Sequence, residues 1–324
     1  PTSIDAFVAL HANSSYTPSL KDRSDNVEAS MNRVTLKAGN SVVTLVPKAG
    51  GGIEGLILAG QEIFRRGRLG QHADADPLNH GEFPMAPWVN RTAEGRFFWR
   101  GREISVADGP GNDPQGLHGV CWRMPWSVLG GSDNEAILGM VWDGGKGWPF
   151  PFSFERRFSL TQNQLAIEAT LRNLGPEPMP AAMGFHPYFP ARAAVVRATT
   201  SGAWITGAGG LPVSAGLEDV AARLRSGLSI EHEPLDNCFI GWDGVAVIDW
   251  PTHSLTVRTE PALRHLQIYS PVETGYFCVE PQSAMPDALN RDSSASGLKV
   301  LEGGACQVVT LRLEIAPPAG RATG

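Results

Sequence analysis

Apolar and polar residues alternate along much of the chain from about residue 32, which is the period of a β-strand with one buried face and one wetter face. The clearest example runs through an aliphatic series at every second position, Leu165, Ile167, Ala169 and Leu171. Similar segments bounded by turn residues predict strands over residues 33–36, 41–46, 53–58, 136–142, 154–160, 245–250, 255–259, 265–269, 277–280 and 306–315. A hairpin is predicted over residues 96–106, turning at Arg100-Gly101.

Helical periodicity is scarce and predicts one short helix, over residues 217–225. We therefore predict an all-β fold class, with two large antiparallel sheets packed face to face as a β-sandwich. The polar and weakly patterned residues 1–31 are interpreted as an N-terminal extended arm, residues 32–317 as a single β-sandwich domain, and residues 318–324 as a C-terminal tail.

The composition supports this prediction and excludes several classes of partner. The 37 glycines and 25 prolines fit a fold of many short strands and turns, and 324 residues suffice for one large β domain. The net charge is −6 and basic residues cluster only in pairs, so we expect no nucleic-acid partner. No apolar run approaches the roughly 18 residues of a membrane span, and residues 1–12 lack a cationic leader, so we expect a cytoplasmic protein and no membrane partner.

Local motifs for metals and nucleotides are also missing from the sequence. The four cysteines are Cys121, Cys238, Cys278 and Cys306, and none has a second cysteine or a histidine at zinc-site spacing. We interpret them as buried apolar thiols and predict no disulfide and no metal. Residues 50–55 satisfy G-x-G-x-x-G, but the sequence after them predicts a strand where a dinucleotide site requires a helix.

Five short segments each place an ionisable side chain among aromatic residues, glycines and prolines. They read F-P-M-A-P-W-V-N-R at 83–91, G-L-H-G at 116–119, G-F-H-P-Y-F at 184–189, P-L-D-N-C-F at 234–239 and V-E-P-Q-S-A-M-P-D-A at 279–288. Taken singly, each also fits a structural role, such as a core histidine at His118 or His186 or a solvated cation at Arg91. Pro281 directly follows Glu280 and is predicted to end that strand, which would hold the carboxylate at the rim of the sheet.

In combination, the order and wording of these segments resemble the aldose 1-epimerases of the galactose mutarotase-like superfamily, from about Val34 to Ile315. The resemblance implies a large antiparallel β-sandwich of the galactose mutarotase-like type, with a polar cleft over one sheet, no metal and no cofactor. By motif, it implies that Glu280 is a general base and His186 a general acid. It further implies sugar contacts from Asn90, Arg91, His118 and Asp236.

Such an acid and base suit the interconversion of the α and β anomers of a sugar. Ring opening needs a proton removed from the C1 hydroxyl and another delivered to the ring oxygen. An ionised carboxylate can accept the first, and an imidazole can donate the second because its ordinary pKa is near neutral pH. His118 or Arg91 is expected to donate to the ring oxygen, and Asp236 to accept from hydroxyls. We therefore expect an aldose 1-epimerase acting on a small-molecule sugar.

Two alternatives stay open. A hexose-6-phosphate epimerase would need additional cations in the pocket, for which the candidates are Arg96, Arg123 and Arg264. A non-catalytic sugar-binding sandwich would lack one member of the acid-base pair, whereas both are present here. Residues 199–230 match no motif, and neither the sugar nor the choice between monomer and homodimer follows from the sequence. Three aromatic residues near the motifs are interpreted as packing, namely Trp88, Trp122 and Tyr188.

Overall fold

The computed structural model describes residues 33–65, 76–111, 113–261 and 263–317, so the predicted arm (1–31) and tail (318–324) lie outside the described residues. The strands are β1 Val34–Ala38, β2 Ser41–Val46, β3 Gly52–Leu58, β4 Gln61–Glu62, β5 Glu82–Met85, β6 Arg96–Trp99, β7 Arg102–Ser105, β8 Ser127–Gly131, β9 Glu135–Trp142, β10 Phe152–Leu160, β11 Gln164–Asn173, β12 Met179–Ala181, β13 Gly184–Pro190, β14 Val195–Ala198, β15 Gly202–Thr206, β16 Pro212–Gly216, β17 Leu228–Ser229, β18 Leu235–Ile240, β19 Val245–Asp249, β20 Ser254–Glu260, β21 His265–Ser270, β22 Tyr276–Gln282, β23 Lys299–Leu301 and β24 Cys306–Ala316. The described helices are α1 Glu218–Ser226 and α2 Ser293–Ser296. Neither of them is long and apolar enough to cross a membrane.

Two large antiparallel sheets account for most of these strands. Within the described residues, the first sheet has 11 strands in the order β1-β2-β3-β5-β13-β22-β21-β18-β15-β16, with β4 beside β3. The second has 9 strands in the order β17-β14-β19-β20-β24-β11-β10-β9-β8. The pairs β6-β7 and β12-β23 form two small two-stranded sheets outside them.

The two large sheets share one hydrophobic core, as expected for a sandwich. In the second sheet, alternate residues of β11 are fully buried in the series that the sequence predicts, Leu165, Ile167, Ala169 and Leu171. In the first sheet, Phe185 and Phe189 of β13 are buried and lie four positions apart, on one face of the strand. Because side chains alternate between the faces of a strand, His186 and Tyr188 of β13 face the other side of the first sheet.

The predicted all-β sandwich is confirmed, and every predicted strand and the predicted helix are present with ends shifted by at most about two residues. Several strands were not predicted from the sequence, and among them are β5 and β13, both of which contain proline. A proline within an apolar run is read as a strand breaker because it lacks an N–H for the ladder. Both strands nevertheless lie in the middle of the first sheet.

The prediction that Pro281 ends its strand is wrong. Strand β22 continues through Pro281 to Gln282, so Glu280 lies inside a central strand instead of at the rim of the sheet. Strand β22 pairs with β13 at Gln282, which lies opposite Gly184, and pairs with it again from Cys278, which lies opposite Tyr188, back to Tyr276. This leaves a gap in the ladder around Pro281, where a residue without an N–H is tolerated.

Candidate active site

A cavity of about 280 Å³ lies against the face of the first sheet that points away from the core. This volume is just below the lower end of the usual range for small-molecule pockets, roughly 300 Å³, and suits one sugar ring. The residues lining it are Leu78, Asn90, Arg91, Leu117, His118, His186, Tyr188, Asp236, Gln267, Tyr269, Tyr276 and Glu280. The structure therefore brings together all six residues singled out by sequence, namely Asn90, Arg91, His118, His186, Asp236 and Glu280.

Strand register places His186 opposite Glu280. Gly184 pairs with Gln282 and Tyr188 with Cys278, so the residues midway between them, His186 and Glu280, face each other across β13 and β22. Their closest atoms, His186 Nε2 and Glu280 Oε1, are 3.3 Å apart. Both side chains are buried, with 7% and 2% of their surface exposed.

Neighbouring side chains hold this pair in place. The ring of His186 stacks between Phe83 of β5 and Tyr188, at centroid distances of 4.3 and 4.7 Å. Gln282 Nε2 donates a hydrogen bond of 3.0 Å to Glu280 Oε2. The aromatic stack and the Gln282 amide together restrict the two side chains to orientations in which His186 Nε2 faces Glu280 Oε1.

Burial displaces the pKa values of the pair in opposite directions. It raises the pKa of the Glu280 carboxyl well above its ordinary value, and the negative charge of Asp236 adds to that effect. It lowers the pKa of His186 to about 3. Both shifts favour the uncharged form of each group, so burial disfavours the charged pair of a Glu280 carboxylate with a His186 imidazolium.

His118 approaches the cavity on a tight loop. Its own backbone has a positive φ of 63°, and a Cβ added to Gly119 would lie 2.0 Å from the carbonyl oxygen of Ala86, so only glycine allows this approach. The N–H of Asn90 donates to His118 Nδ1 at 3.2 Å. Burial lowers the pKa of His118 well below its ordinary value, and repulsion from a protonated His186 and from the charges of Arg91 and Arg123 adds to this effect. The ring is therefore neutral with its proton on Nε2, which makes it a hydrogen-bond donor.

A chain of polar groups runs along the cavity from Asn90 to Arg91. Asn90 Nδ2 donates to Gln267 Oε1 at 3.4 Å, and Gln267 Nε2 donates to Asp236 Oδ1 at 2.7 Å. Arg91 Nη1 lies 3.6 Å from Asp236 Oδ2. Asp287 fixes the backbone of Arg91, because its N–H donates to the Arg91 carbonyl at 2.8 Å. These groups offer a mixed set of donors and acceptors to hydroxyls.

Tyrosines form the apolar side of the cavity. The Arg65 guanidinium lies 3.6 Å from the ring centre of Tyr188 and 4.4 Å from that of Tyr276, which clamps the two rings together. Tyr188 thus lines the cavity, contrary to its interpretation as packing. That interpretation holds for the two tryptophans, since Trp122 stacks on Phe83 and the indole of Trp88 donates to the Gly116 carbonyl.

Sequence reasoning missed several lining residues, of which Gln267 is the most polar. A signal for it was present: in β21, Leu266 and Ile268 face the core, so Gln267 and Tyr269 had to face the other side. Gln282 was visible in the E-P-Q motif but had no role assigned to it. Three arginines were considered as ligands for a phosphate, and none of them lines the cavity: Arg96, Arg123 and Arg264.

Among the described residues, one group of three side chains brings potential metal ligands close together. It consists of His186, Cys278 and Glu280, whose ligand atoms all lie within 4.8 Å of one another. The sequence predicted no metal because these residues belong to two separate segments.

Comparison with known proteins agrees with the fold and the motifs. A family model described as aldose 1-epimerase matches residues 32–307. An Escherichia coli K12 relative with the name uncharacterized protein YphB is 28% identical over 271 residues, covering 80% of this chain and 90% of its own length. A solved structure from Escherichia coli K12, provisionally described as an aldose 1-epimerase, has a TM-score of 0.79 at 25% identity and covers 88% of this chain and 99% of its own. A galactose mutarotase-like protein from Clostridium acetobutylicum shares the fold, with a TM-score of 0.77, 19% identity and coverage of 88% and 95%.

Proposed function

The chain belongs to the aldose 1-epimerase family, and from this premise we propose that it interconverts the α and β anomers of a free aldose. The observation that carries the proposal is the buried pair of Glu280 and His186, 3.3 Å apart on one wall of a cavity the size of a sugar ring. Anomer exchange requires one group that accepts a proton from O1 and one that donates a proton to O5, and the pair supplies both.

In the proposed reaction the ring opens and closes without any change in the number of protons on the enzyme. Glu280 accepts the proton of the C1 hydroxyl while His186 donates a proton to O5, so the C1–O5 bond breaks and C1 becomes an aldehyde. After rotation about C1–C2, the O5 hydroxyl attacks the other carbonyl face, returns its proton to His186, and the new O1 takes a proton from Glu280.

The burial of the pair favours ring opening. The step begins with an ionised Glu280 and a protonated His186 and ends with both groups neutral. Desolvation favours the neutral forms of both groups, as their shifted pKa values indicate. Sugar binding has to supply the energy for the opposite, charged arrangement, which hydrogen bonds from the sugar hydroxyls to the Glu280 carboxylate can provide.

The remaining polar groups have separate proposed roles. Neutral His118 donates its Nε2–H toward the oxygen that gains negative charge, and a donor already aimed there stabilises the transition state without reorganising. The carboxylate of Asp236, held by Gln267, accepts hydrogen bonds from ring hydroxyls. Arg91 presents its planar fork of donors to adjacent hydroxyls.

Two features favour a free sugar as the substrate. Arg91 is the one arginine or lysine among the described lining residues, and it already lies beside Asp236. A phosphate would also be repelled by the carboxylate of Asp236, which lines the same cavity. The non-catalytic alternative does not account for an acid-base pair buried in contact with the cavity.

Polarimetry tests the proposal directly. Freshly dissolved α anomers of glucose, galactose, arabinose and xylose, and of glucose 6-phosphate for comparison, are followed to their equilibrium rotation with and without the protein. We expect at least one of the free sugars to equilibrate at a rate proportional to protein concentration. If only glucose 6-phosphate responds, the substrate is phosphorylated; if sugars bind by calorimetry but none equilibrates faster, the protein is a binding module.

A further inference from the structure

Cys278 is a buried thiol directly beside the proposed catalytic pair, and the proposed reaction does not use it. It precedes Glu280 by two residues in β22, so both side chains lie on the same face of the strand. Its partner across the ladder is Tyr188, which follows His186 by two residues in β13. The thiol is completely buried and is not among the residues lining the cavity.

These positions place three different metal-ligand types around one point. An imidazole nitrogen of His186, the sulfur of Cys278 and a carboxylate oxygen of Glu280 lie within 4.8 Å of one another. Zinc bonds to such atoms are roughly 2.0–2.3 Å long, which puts neighbouring ligands of a tetrahedral site about 3.5 Å apart. Small side-chain rotations toward a central ion close that difference.

The donor set selects the kind of ion. A thiolate and an imidazole favour zinc and similar thiophilic ions over magnesium and calcium, which prefer oxygen ligands. Three protein ligands leave a fourth position, which faces the cavity because His186 and Glu280 line it. The same cavity provides the path of entry, and a second carboxylate, Asp236, adds negative charge to its wall.

We propose that His186, Cys278 and Glu280 form a binding site for Zn²⁺ or Cd²⁺, and that an ion bound there inhibits the enzyme by occupying the proposed acid and base. Binding releases the thiol proton of Cys278 and the carboxyl proton of Glu280 to solvent, and it ties up the nitrogen and the oxygen that would otherwise exchange protons with the sugar. The inhibitory part rests on the proposed function, whereas the binding part does not. Metal therefore acts against turnover and is not required for it.

Binding is measured first, on tag-free protein that carries Cys306→Ser to remove the exposed thiol. Titration with Cd²⁺, followed by calorimetry and by the ultraviolet charge-transfer absorbance of the cadmium–thiolate bond, should reveal one site per chain. Cys278→Ser should remove the absorbance and lower the Cd²⁺ affinity at least about tenfold, because even the loss of a residue that only supports a ligand typically costs that much. Cys238→Ser is the matched control, because Cys238 is a second buried thiol on the same face of the first sheet. This variant should change neither the absorbance nor the Cd²⁺ affinity.

Turnover is measured next, by polarimetry on the same proteins. Zn²⁺ should slow the wild-type reaction, with excess sugar or EDTA restoring it, while Cys278→Ser should keep its metal-free turnover and resist Zn²⁺. Equal Cd²⁺ affinity in Cys278→Ser and in the wild type would overturn the proposed metal site. If the Cys278→Ser variant fails to fold, Glu280→Gln tests the same cluster. Unchanged Cd²⁺ affinity in Glu280→Gln would likewise overturn the site. Turnover that is lost in EDTA and restored by Zn²⁺ would overturn the inhibitory role. Cysteine-dependent Cd²⁺ binding without any epimerase activity would instead refute the proposed function and leave the site standing.

Discussion

The acid-base character of Glu280 and His186 comes from where their side chains lie. An exposed glutamate is ionised at neutral pH and an exposed histidine is partly charged, whereas both are neutral when burial dominates. The 3.3 Å contact between Nε2 and Oε1 lets one proton serve both groups. Individual substitutions should therefore separate the chemical roles from the binding roles in the cavity.

Replacing the carboxylate should abolish proton acceptance while leaving the cavity shape intact. Glu280→Gln is expected to lower kcat by about 10² to 10⁴, the usual contribution of a general base, with little change in KM. An amide can still accept the hydrogen bond from Gln282. Polarimetry with the preferred sugar measures both constants. Near-normal turnover in a folded variant would mean that another group is the base.

Removing Arg91 should weaken binding as well as turnover. Arg91→Ala deletes a fork of donors to the sugar hydroxyls and leaves Asp236 without its nearest cation, so KM should rise while kcat falls. Arg96→Ala is the matched control, because that guanidinium is half exposed and contacts Glu103 on the neighbouring strand of a hairpin. A higher kcat/KM loss in the control than in Arg91→Ala would contradict the assignment.

Strand β5 contributes a buried ion pair that stabilises the fold and takes no part in the proposed reaction. Its first residue, Glu82, points into the core, where Arg156 Nη2 of β10 donates to Glu82 Oε1 at 2.7 Å and Nη1 donates to the Gly51 carbonyl at 2.8 Å. Both side chains are completely buried. The pair joins the two sheets directly behind Phe83, the residue that stacks on His186.

Breaking this buried pair should destabilise the fold. Arg156→Ala leaves an uncompensated carboxyl in the core and should lower the free energy of unfolding by about 3–5 kcal/mol. The double substitution Glu82→Leu with Arg156→Met should recover much of that loss, because it removes both charges and restores apolar packing. Urea denaturation measures both variants. Arg102→Ala, which breaks an exposed pair with Glu177, is the control and should cost at most about 1 kcal/mol.

Across the molecule, several histidines are buried in their neutral form, and this couples the stability of the sandwich to pH. His265 is one that lies outside the cavity lining, and its burial lowers the pKa from 6.5 to about 4. Below pH 6.5 the unfolded chain binds a proton at this residue that the folded protein does not yet bind. The stability that His265 contributes is therefore present above pH 6.5 and is lost as the pH falls through about 4.

His265→Gln should reduce this pH dependence. The wild-type free energy of unfolding contains a contribution of roughly 3 kcal/mol that disappears between pH 7 and pH 4, and the variant should lack it. Urea midpoints across that range give the comparison. His232→Gln, at an exposed histidine, should follow the wild-type curve. Parallel curves for His265→Gln and the wild type would show that the burial of His265 does not cause the loss of stability at low pH.

The local order of the chain determined the class of fold and most of the polar residues that line the cavity. Alternation such as that of Leu165 to Leu171 depends only on the two-residue period of a strand, so it marked the strands correctly without any knowledge of their partners. Motif wording likewise identified His186 and Glu280, because the chemical identity of a side chain is written in the sequence.

Only the tertiary structure decided which of those side chains meet. Strands β5 and β13 could not be predicted from local signals, since their prolines resemble strand breakers and are tolerated only beside particular neighbours. The contact of His186 with Glu280, the approach of Cys278 to both, and the link from Gln267 to Asp236 all follow from the register of adjacent strands. Register is set by the packing of a whole sheet face against the core, because a slip of one residue would turn every buried side chain to the other face.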